Sequence, residues 1–408
     1  VVLTLATNAS NARVLSGMRP TGQLHLGNYH GALKNWIGLQ YQYECYFFVA
    51  DWHALTTGYE DPSQIEENTF QMVIDWLGAG LDPEASTMFI QSRVPEHAEL
   101  HLLLSMITPL GWLERVPSYK DQQEQLKEKD LATYGFLGYP LLQSADILLY
   151  RPSYVPVGED QVAHVEITRE IARRFNHLYG READFADKAE KALKRLGGKS
   201  AELYRELRKA YQETGDATAL TRAATLLDGN ARLTVADRER LSGYLEGTGR
   251  SILPEPDVLL TQTPKVPGLD GRKMSKSYQN TIGLREDPDA VAKKLKTMQT
   301  DPARVRRTDP GNPDKCPVFD LHKVYSSSET QSFAANGCRS AGIGCIECKK
   351  PLIDAVVSEI EGIRRRAKDY EDNRDMVRSL LSAGAEKARD TARDTMQEVR
   401  AAMGLEYR

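Results

Sequence analysis

Short apolar runs alternate with amphipathic stretches through the first part of the chain. Val14–Leu15 leads into a loop bearing Gly17, Pro20, Gly22 and Gly27, after which Leu33, Trp36, Ile37 and Gln40 recur at helical spacing. Cys45–Ala50 reads as a buried strand ending in Asp51–Trp52–His53, Ile65–Leu77 as a helix, and Thr87–Ile90 as a strand running into Gln91–Ser92. Glu99–Leu113 is helical up to or around Pro109, and the charged run Lys120–Asp130 reads as an exposed, mobile excursion. Tyr139–Leu149 is an apolar helix with one carboxylate, Asp146. Val155–Val157 is a strand that opens into Gly158–Glu159–Asp160–Gln161 and a helix through Phe175. Strands alternating with helices predict an α/β fold with a parallel sheet and ligands at the strands' carboxyl ends.

From Arg181 to Ser251 the character changes to Lys, Glu, Arg and Ala, with Leu193, Leu196, Leu203, Leu207 and Tyr211 at helical spacing. We read 181–251 as a helical insertion. The sheet pattern resumes at Asp257–Leu260, and 288–408 is overwhelmingly helical, with basic clusters at Arg304, Arg306 and Arg307 and at Arg364, Arg365, Arg366 and Lys368. No short tandem repeat points to a solenoid. A chain of 408 residues exceeds one usual domain. The expected division is a catalytic domain at 1–284 carrying the insertion, then an all-helical domain at 285–408.

Composition narrows the class. With 41% hydrophobic and 27% charged residues and no long apolar run, a globular protein without a membrane span is expected. The opening VVLTLATNASNA lacks the basic start of a secretory signal, so a cytoplasmic location is expected. A net charge of −4 means that any nucleic-acid contact must come from a local basic patch.

Two stretches carry phosphate chemistry. Arg13–Gly31 is a strand, a glycine-rich turn and a helix start, a geometry that offers backbone N–H groups to an anion. Gly27 has no Cβ and allows close approach, and His25 and Asn28 beside it can donate to phosphate oxygens. Far along the chain, Lys273–Met274–Ser275–Lys276–Ser277 sets two lysines three apart in a small, hydroxyl-bearing loop.

The pair, His25–Leu26–Gly27–Asn28 and Lys273–Ser277, resembles the two signatures of class I aminoacyl-tRNA synthetases. Ser16–Gly17, Gly27–Asn28–Tyr29, Ala50–His53, Ala145–Leu148 and Val155–Gln161 narrow this to the bacterial tryptophanyl-tRNA synthetases, outside the insertion. The resemblance implies a Rossmann-like nucleotide-binding domain, an anticodon-binding helical domain and a homodimer. It implies activation of L-tryptophan with ATP and Mg²⁺, then transfer to the terminal adenosine of tRNA(Trp), at the 2′-hydroxyl by the class I habit. Carried over residue by residue, Arg19, Pro20, Thr21, Gly27, Asn28, Gly158, Glu159, Asp160, Val266, Lys273, Met274, Ser275, Lys276 and Ser277 bind ATP. Lys273, Lys276, His25 and Asn28 carry the catalytic charge. Asp146 accepts the indole N–H, Tyr139 and Gln161 hold the α-ammonium, and His53 lies near the carboxylate. Gln143 completes the tryptophan set.

Two departures follow. Tyr139, Gln143 and Asp146 also fit the Y-x-x-x-Q-x-x-D pattern of tyrosyl-tRNA synthetases, which keeps tyrosine open as a substrate. Lys120–Asp121–Gln122 lacks a second lysine expected there, and whether Lys127 or Lys129 takes its place stays open. A different class I-like nucleotidyltransferase, or an idle relative that only binds tRNA or amino acid, also stays open, although both ATP loops and Asp146 are intact.

Of five cysteines, Cys316, Cys338, Cys345 and Cys348 are spaced C-x21-C-x6-C-x2-C. Four thiolates suit tetrahedral zinc or a [4Fe–4S] cluster on chemistry alone. Some members of the resembled family carry a near-identical set binding [4Fe–4S], which makes the cluster the expectation and zinc the alternative.

Overall fold

The computed structural model describes residues 12–117, 133–182, 184–261, 264 and 266–407, the side chains of Asp160 and Ala217 apart. The expected excursion at Lys120–Asp130, with Lys127 and Lys129, lies outside the described residues, as does the side chain of Asp160.

Five strands form one parallel sheet in the order β3-β2-β1-β4-β5: β1 (Arg13–Met18), β2 (Glu44–Val49), β3 (Ser86–Ile90), β4 (Tyr154–Val157) and β5 (Asp257–Leu260). β1 runs against β2 in register from Arg13–Glu44 to Met18–Val49, and β2 against β3 from Cys45–Ser86 to Val49–Ile90. The near-continuous apolar run of β2 reflects burial on both faces, as parallel sheets require. Gly17, expected in the loop, lies inside β1. A Cβ there would sit 2.5 Å from the Phe48 ring, so glycine is required by packing.

Contacts gather the chain into two units. The first holds Val1–Arg93, Pro156–Gln161 and Leu259–Ala388; the second holds Val94–Val155, Val162–Val258 and Arg389–Arg408. The boundary expected at 284/285 is not one of these cuts.

In the first unit, helix α1 is built from Leu26–Asn28, a π-helical turn at Tyr29–Leu33, and Lys34–Leu39. It buries Leu33 and Trp36; Trp36 stacks on Phe47 at 4.6 Å and meets Trp76 edge-on at 5.4 Å. Asp51–Gly58 forms α2. Helix α3 (Ile65–Ala79) ends at Gly80, whose φ of +118° favours glycine. In this unit the last third of the chain supplies α12 (Pro288–Thr297), α13 (Pro317–Tyr325), α14 (Ser328–Arg339), α15 (Cys345–Asp372) and the start of α16 (Arg374–Ala402). A Cβ on Gly384 of α16 would fall 1.8 Å from the Met88 carbonyl, so this helix lies directly on β3.

The second unit is helical around α6 (Tyr134–Leu149), with α4 (Glu96–Ser105), α5 (Leu110–Glu114) and α7 (Val162–Tyr179). The helix expected up to or around Pro109 ends at Ser105, and Pro109 is the extended residue before α5. Helix α6 starts a turn and more before the sequence reading placed it. Pro140 hides that start in the sequence, whereas Thr133 caps it by accepting from the Phe136 N–H at 3.3 Å. Residues 185–246 form α8 (Phe185–Leu196), α9 (Gly198–Thr214), α10 (Ala217–Asp228) and α11 (Val235–Glu246). Leu193, Tyr204, Ala223 and Leu241 close a core among these four. Among the described residues, no helix is long and apolar enough to cross a membrane.

Candidate active site

Parallel strands end at one edge, and ligands bind where strand order reverses, because loops diverge there and open a crevice. Here β1 is flanked by β2 on one side and β4 on the other. Arg19–Thr21 follow β1, Asp51–His53 follow β2, and Gly158, Glu159 and Gln161 follow β4, all in the first unit.

The first loop is shaped by reciprocal capping. The Asn28 backbone N–H donates to His25 Nδ1 at 3.3 Å, and the His25 N–H donates to Asn28 Oδ1 at 3.2 Å. Because Nδ1 accepts, the neutral ring carries its proton on Nε2 and presents a donor there. Burial, then the charge of Lys276, lowers the His25 pKa to about 4, which keeps the ring neutral near pH 7. His25 and Asn28 are therefore half committed to holding α1's first turn.

The second loop lies against the first, although the chain separates them by 255 residues. The Lys276 ammonium donates to the Thr21 carbonyl. It also lies 3.3 Å from where a Cβ on Gly22 would stand. Buried Met274 packs 3.4 Å from the Cβ position of Gly27, which glycine leaves open. Lys273 and Ser277 are exposed; Ser275 and Val266 are half-buried. Ser275 and Ser277 share a hydroxyl hydrogen bond at 2.8 Å.

Residues that sequence reasoning missed hold this arrangement. Asn280, 2% exposed, accepts the Ser275 N–H at 2.8 Å and donates to the Lys273 carbonyl and Asp270 at 3.1 and 2.7 Å. Asp75 of α3, fully buried, accepts the Leu24 N–H at 2.5 Å on one oxygen and Arg285 Nε at 2.6 Å on the other. Leu24 enters the first loop's helix and Arg285 follows the second loop, so one carboxylate ties both. Burial pushes the Asp75 carboxyl up, with Arg285 pulling against it. Crowding around Lys276 lowers its pKa, with Asp75's charge acting the other way. A lone acid in the apolar run Met72–Leu77 was the available signal.

At the ends of β2 and β3, Asp51 Oδ1 accepts the Ser92 N–H at 3.1 Å, and buried Gln91 accepts the Trp52 N–H at 3.2 Å. His53, 8% exposed, is held in α2 just beyond them.

The second unit carries the other predicted set. Tyr139, Gln143 and Asp146 recur at i, i+4 and i+7, on one face of α6. Asp146 is interior to the helix and fully buried, so it is not an N-cap. Its Oδ1 lies 2.7 Å from His97 Nδ1, and His97 Nε2 lies 2.8 Å from the Tyr150 hydroxyl. Neither His97 nor Tyr150 was picked out from sequence; an acid inside an apolar helix was the hint that a partner had to exist.

Cys316 precedes α13, Cys338 lies near the end of α14, and Cys345 and Cys348 open α15. Cys348 is 3.6 Å from His322 Nε2, and Arg304 reaches Cys338 at 3.8 Å. Among the described residues no three His, Cys, Asp or Glu side chains stand close enough to hold a metal ion. The four-thiolate metal centre expected from the spacing, cluster or zinc, is therefore not supported as a formed ligand set. The basic clusters are largely used internally: Arg366 donates to the Gly78 carbonyl at 2.7 Å, Arg364 pairs with Asp287 at 3.6 Å, and Arg307 with Glu347 at 3.2 Å.

The family of class I tRNA synthetases for W and Y matches residues 7–196 and 235–360. A tryptophan–tRNA ligase of Ralstonia nicotianae is 64% identical over 97% of this chain and 99% of its own length. One of Thermotoga maritima is 42% identical over 97% and 100%. Among solved structures, tryptophanyl-tRNA synthetase of Campylobacter jejuni, complexed with ADP and tryptophan, is 29% identical with a TM-score of 0.69, covering 96% of this chain and 100% of its own. The tyrosine alternative fails against these relatives. The chain belongs to the class I aminoacyl-tRNA synthetases, among the bacterial tryptophanyl-tRNA synthetases.

Proposed function

We propose that the chain performs its family's reaction, tryptophan–tRNA ligation, with the residues described above in defined roles. The observation that carries this reading is the meeting of the two loops, Lys276 on Thr21 and Met274 on Gly27. The tryptophan carboxylate attacks the α-phosphorus of ATP in line, and the bond to pyrophosphate breaks. ATP arrives as its Mg²⁺ complex, so part of the triphosphate charge is already neutralised. No enzyme nucleophile is needed; the protein positions the reactants and stabilises charge. Lys273 and Lys276 meet the leaving pyrophosphate. His25, through Nε2–H, and Asn28 face the α-phosphate. Arg19, Pro20, Thr21, Gly158, Glu159, Asp160 and Val266 hold the remainder of ATP, with Met274, Ser275 and Ser277 shaping the second loop. Asp146 accepts the indole N–H, Tyr139 and Gln161 hold the α-ammonium, His53 faces the carboxylate, and Gln143 lines the same helix face. A buried acceptor left unpaired by phenylalanine makes such a pocket selective. The 2′-hydroxyl of the terminal adenosine of tRNA(Trp) then attacks the adenylate's carbonyl and AMP leaves.

Three finer parts belong to the same proposal. The helical stretch 285–408 reads the anticodon, with 1–284 as catalytic domain and 181–251 as insertion. The protein works as a cytoplasmic homodimer, for which the exposed Leu102, Met106 and Leu110 supply an apolar surface. The four cysteines would hold a [4Fe–4S] cluster once their thiols close on it. Cys348's thiol is pushed up to about 12 by burial and then by Cys316, Cys338 and Cys345, so the other three lie within electrostatic reach of it. Arg304, 8% exposed and with an Nε lacking a hydrogen-bond partner, offers positive charge beside Cys338, which suits an anionic cluster. The cluster would supply structural cross-linking, with no redox step required.

The test is pyrophosphate exchange on the purified chain with tryptophan and tyrosine side by side. Tryptophan-dependent exchange is expected, and tyrosine-dependent exchange at equal rate would overturn the assignment. Iron and sulfide analysis with absorbance near 400 nm tests the cluster; one zinc per chain without iron would replace it.

A further inference from the structure

We propose that His97 and Tyr150 are positioning residues for substrate selection, because together they fix the carboxylate of Asp146. The inference rests on the reading of Asp146 as acceptor of the indole N–H. All three residues are fully buried and belong to the second unit. His97 stands in the first turn of α4, Asp146 inside α6, and Tyr150 at the C-terminal cap of α6.

A carboxylate in this setting has two needs. Its charge must be met by hydrogen bonds, since removal from water is costly otherwise. Its plane must also be fixed, because a carboxylate turning about χ2 swings each oxygen and gives an incoming N–H no constant target. The 2.7 Å contact from His97 Nδ1 to Oδ1 meets both. With Nδ1–H donating to Asp146 Oδ1, Nε2 accepts from the Tyr150 O–H across 2.8 Å, and this second bond prevents the ring from flipping. The hydroxyl thus fixes the ring and the ring fixes the carboxylate. The device resembles in logic the way a buried acid orients a catalytic imidazole, with imidazole and acid exchanging places.

Two substitutions separate the two bonds. In His97→Asn the amide nitrogen falls near the Nδ1 position and keeps the donor to Asp146. In His97→Gln the amide falls near Nε2, where its oxygen can accept the Tyr150 O–H, and the donor to Asp146 is lost. Exchange kinetics on the full chain should show the KM for tryptophan rising at least about tenfold in His97→Gln, with the KM for ATP within about twofold. Selectivity over phenylalanine should fall by a similar factor, about tenfold. His97→Asn should recover most of the loss, and Tyr150→Phe should lie between.

Equal effects of Asn and Gln, or a joint shift of both KM values, would overturn the inference. If neither His97 variant folds, Tyr150→Phe decides alone, and an unchanged tryptophan KM would overturn it. Asp146→Ala keeps the two claims apart. Unchanged selectivity in that variant refutes the reading of Asp146 itself, whereas lost selectivity there with an unaltered His97→Gln refutes only the role of His97.

Discussion

The nucleotide loops of the first unit and the Asp146 helix of the second solve different problems, and they are built differently. In the proposed reaction the loops deliver positive charge and backbone donors to a large anion, and their lysines and serines are exposed or half-exposed, with a shape that comes from glycines and capping. Lys273 and Ser277 lie open, and Lys276 donates to the Thr21 carbonyl. On the proposed reading the Asp146 helix tests a single N–H, and discrimination by one hydrogen bond requires burial and fixed geometry. Its acid is wholly enclosed and bonded to an imidazole that is itself bonded. Charge stabilisation tolerates mobility in the group that supplies it; selection of one atom does not.

The first unit also hides a buried element, the Asp75–Arg285 pair, whose side chains are 0% and 4% exposed. Breaking it should destabilise the protein more than any other single change to either region. Asp75→Asn leaves Arg285 without its buried counter-charge and should cost ~3–5 kcal/mol of stability, read by denaturant unfolding. The double variant Asp75→Leu with Arg285→Met should regain most of that stability but not the exchange rate. Recovery of both would mean that the pair only fills space and does not link the loops.

Lys276→Ala sharpens the contrast from the other side. Its kcat for activation should fall by ~10²–10³, the usual consequence of removing one group that meets developing charge. The KM for tryptophan should stay within about threefold. Equal losses in rate and tryptophan binding would show that the loop binds without favouring the transition state.

The two sites were unequally legible in the sequence. The loops were visible because each is one short run with its glycines or lysines close together in sequence, and the sheet was visible through its apolar strands. The supports were not. Asp75 and Arg285 stand 210 residues apart, and His97 and Asp146 stand 49 apart, so no local pattern joins either pair. Both carried half a signal, a single acid within an apolar run, which demands a partner without naming it. Gly17 misled in the opposite direction, because a glycine needed for ring packing inside a strand looks like one needed in a phosphate loop. The four cysteines were legible as spacing only; spacing reports which thiols are available and not whether they have closed on an ion.

The pH dependence of the first loop follows from His25. Its folded pKa of about 4 lies below the ordinary 6.5, so between these values the unfolded chain binds a proton that the folded chain does not. Its contribution is complete above pH 6.5 and is lost as pH falls towards 4, amounting to no more than about 3 kcal/mol. His25→Asn, which retains an acceptor for the Asn28 N–H, should flatten that part of the stability profile. A midpoint near 6.5 in an NMR titration of the His25 ring would contradict the capping role given to Nδ1.

The smallest effect concerns the helix that carries Asp146. Thr133 accepts the Phe136 N–H at the start of α6, three turns before Asp146. Thr133→Ala should cost ~1 kcal/mol, a typical value for a lost N-cap, measured by thermal or denaturant unfolding. Because His97 and Tyr150 hold Asp146 from its own end of the helix, fraying at the far end should leave the tryptophan KM within about twofold. A larger rise in KM would mean that the whole of α6, and not the His97–Tyr150 pair, sets the acid's position. The two regions would then differ less than their burial implies, since both would depend on how a helix begins.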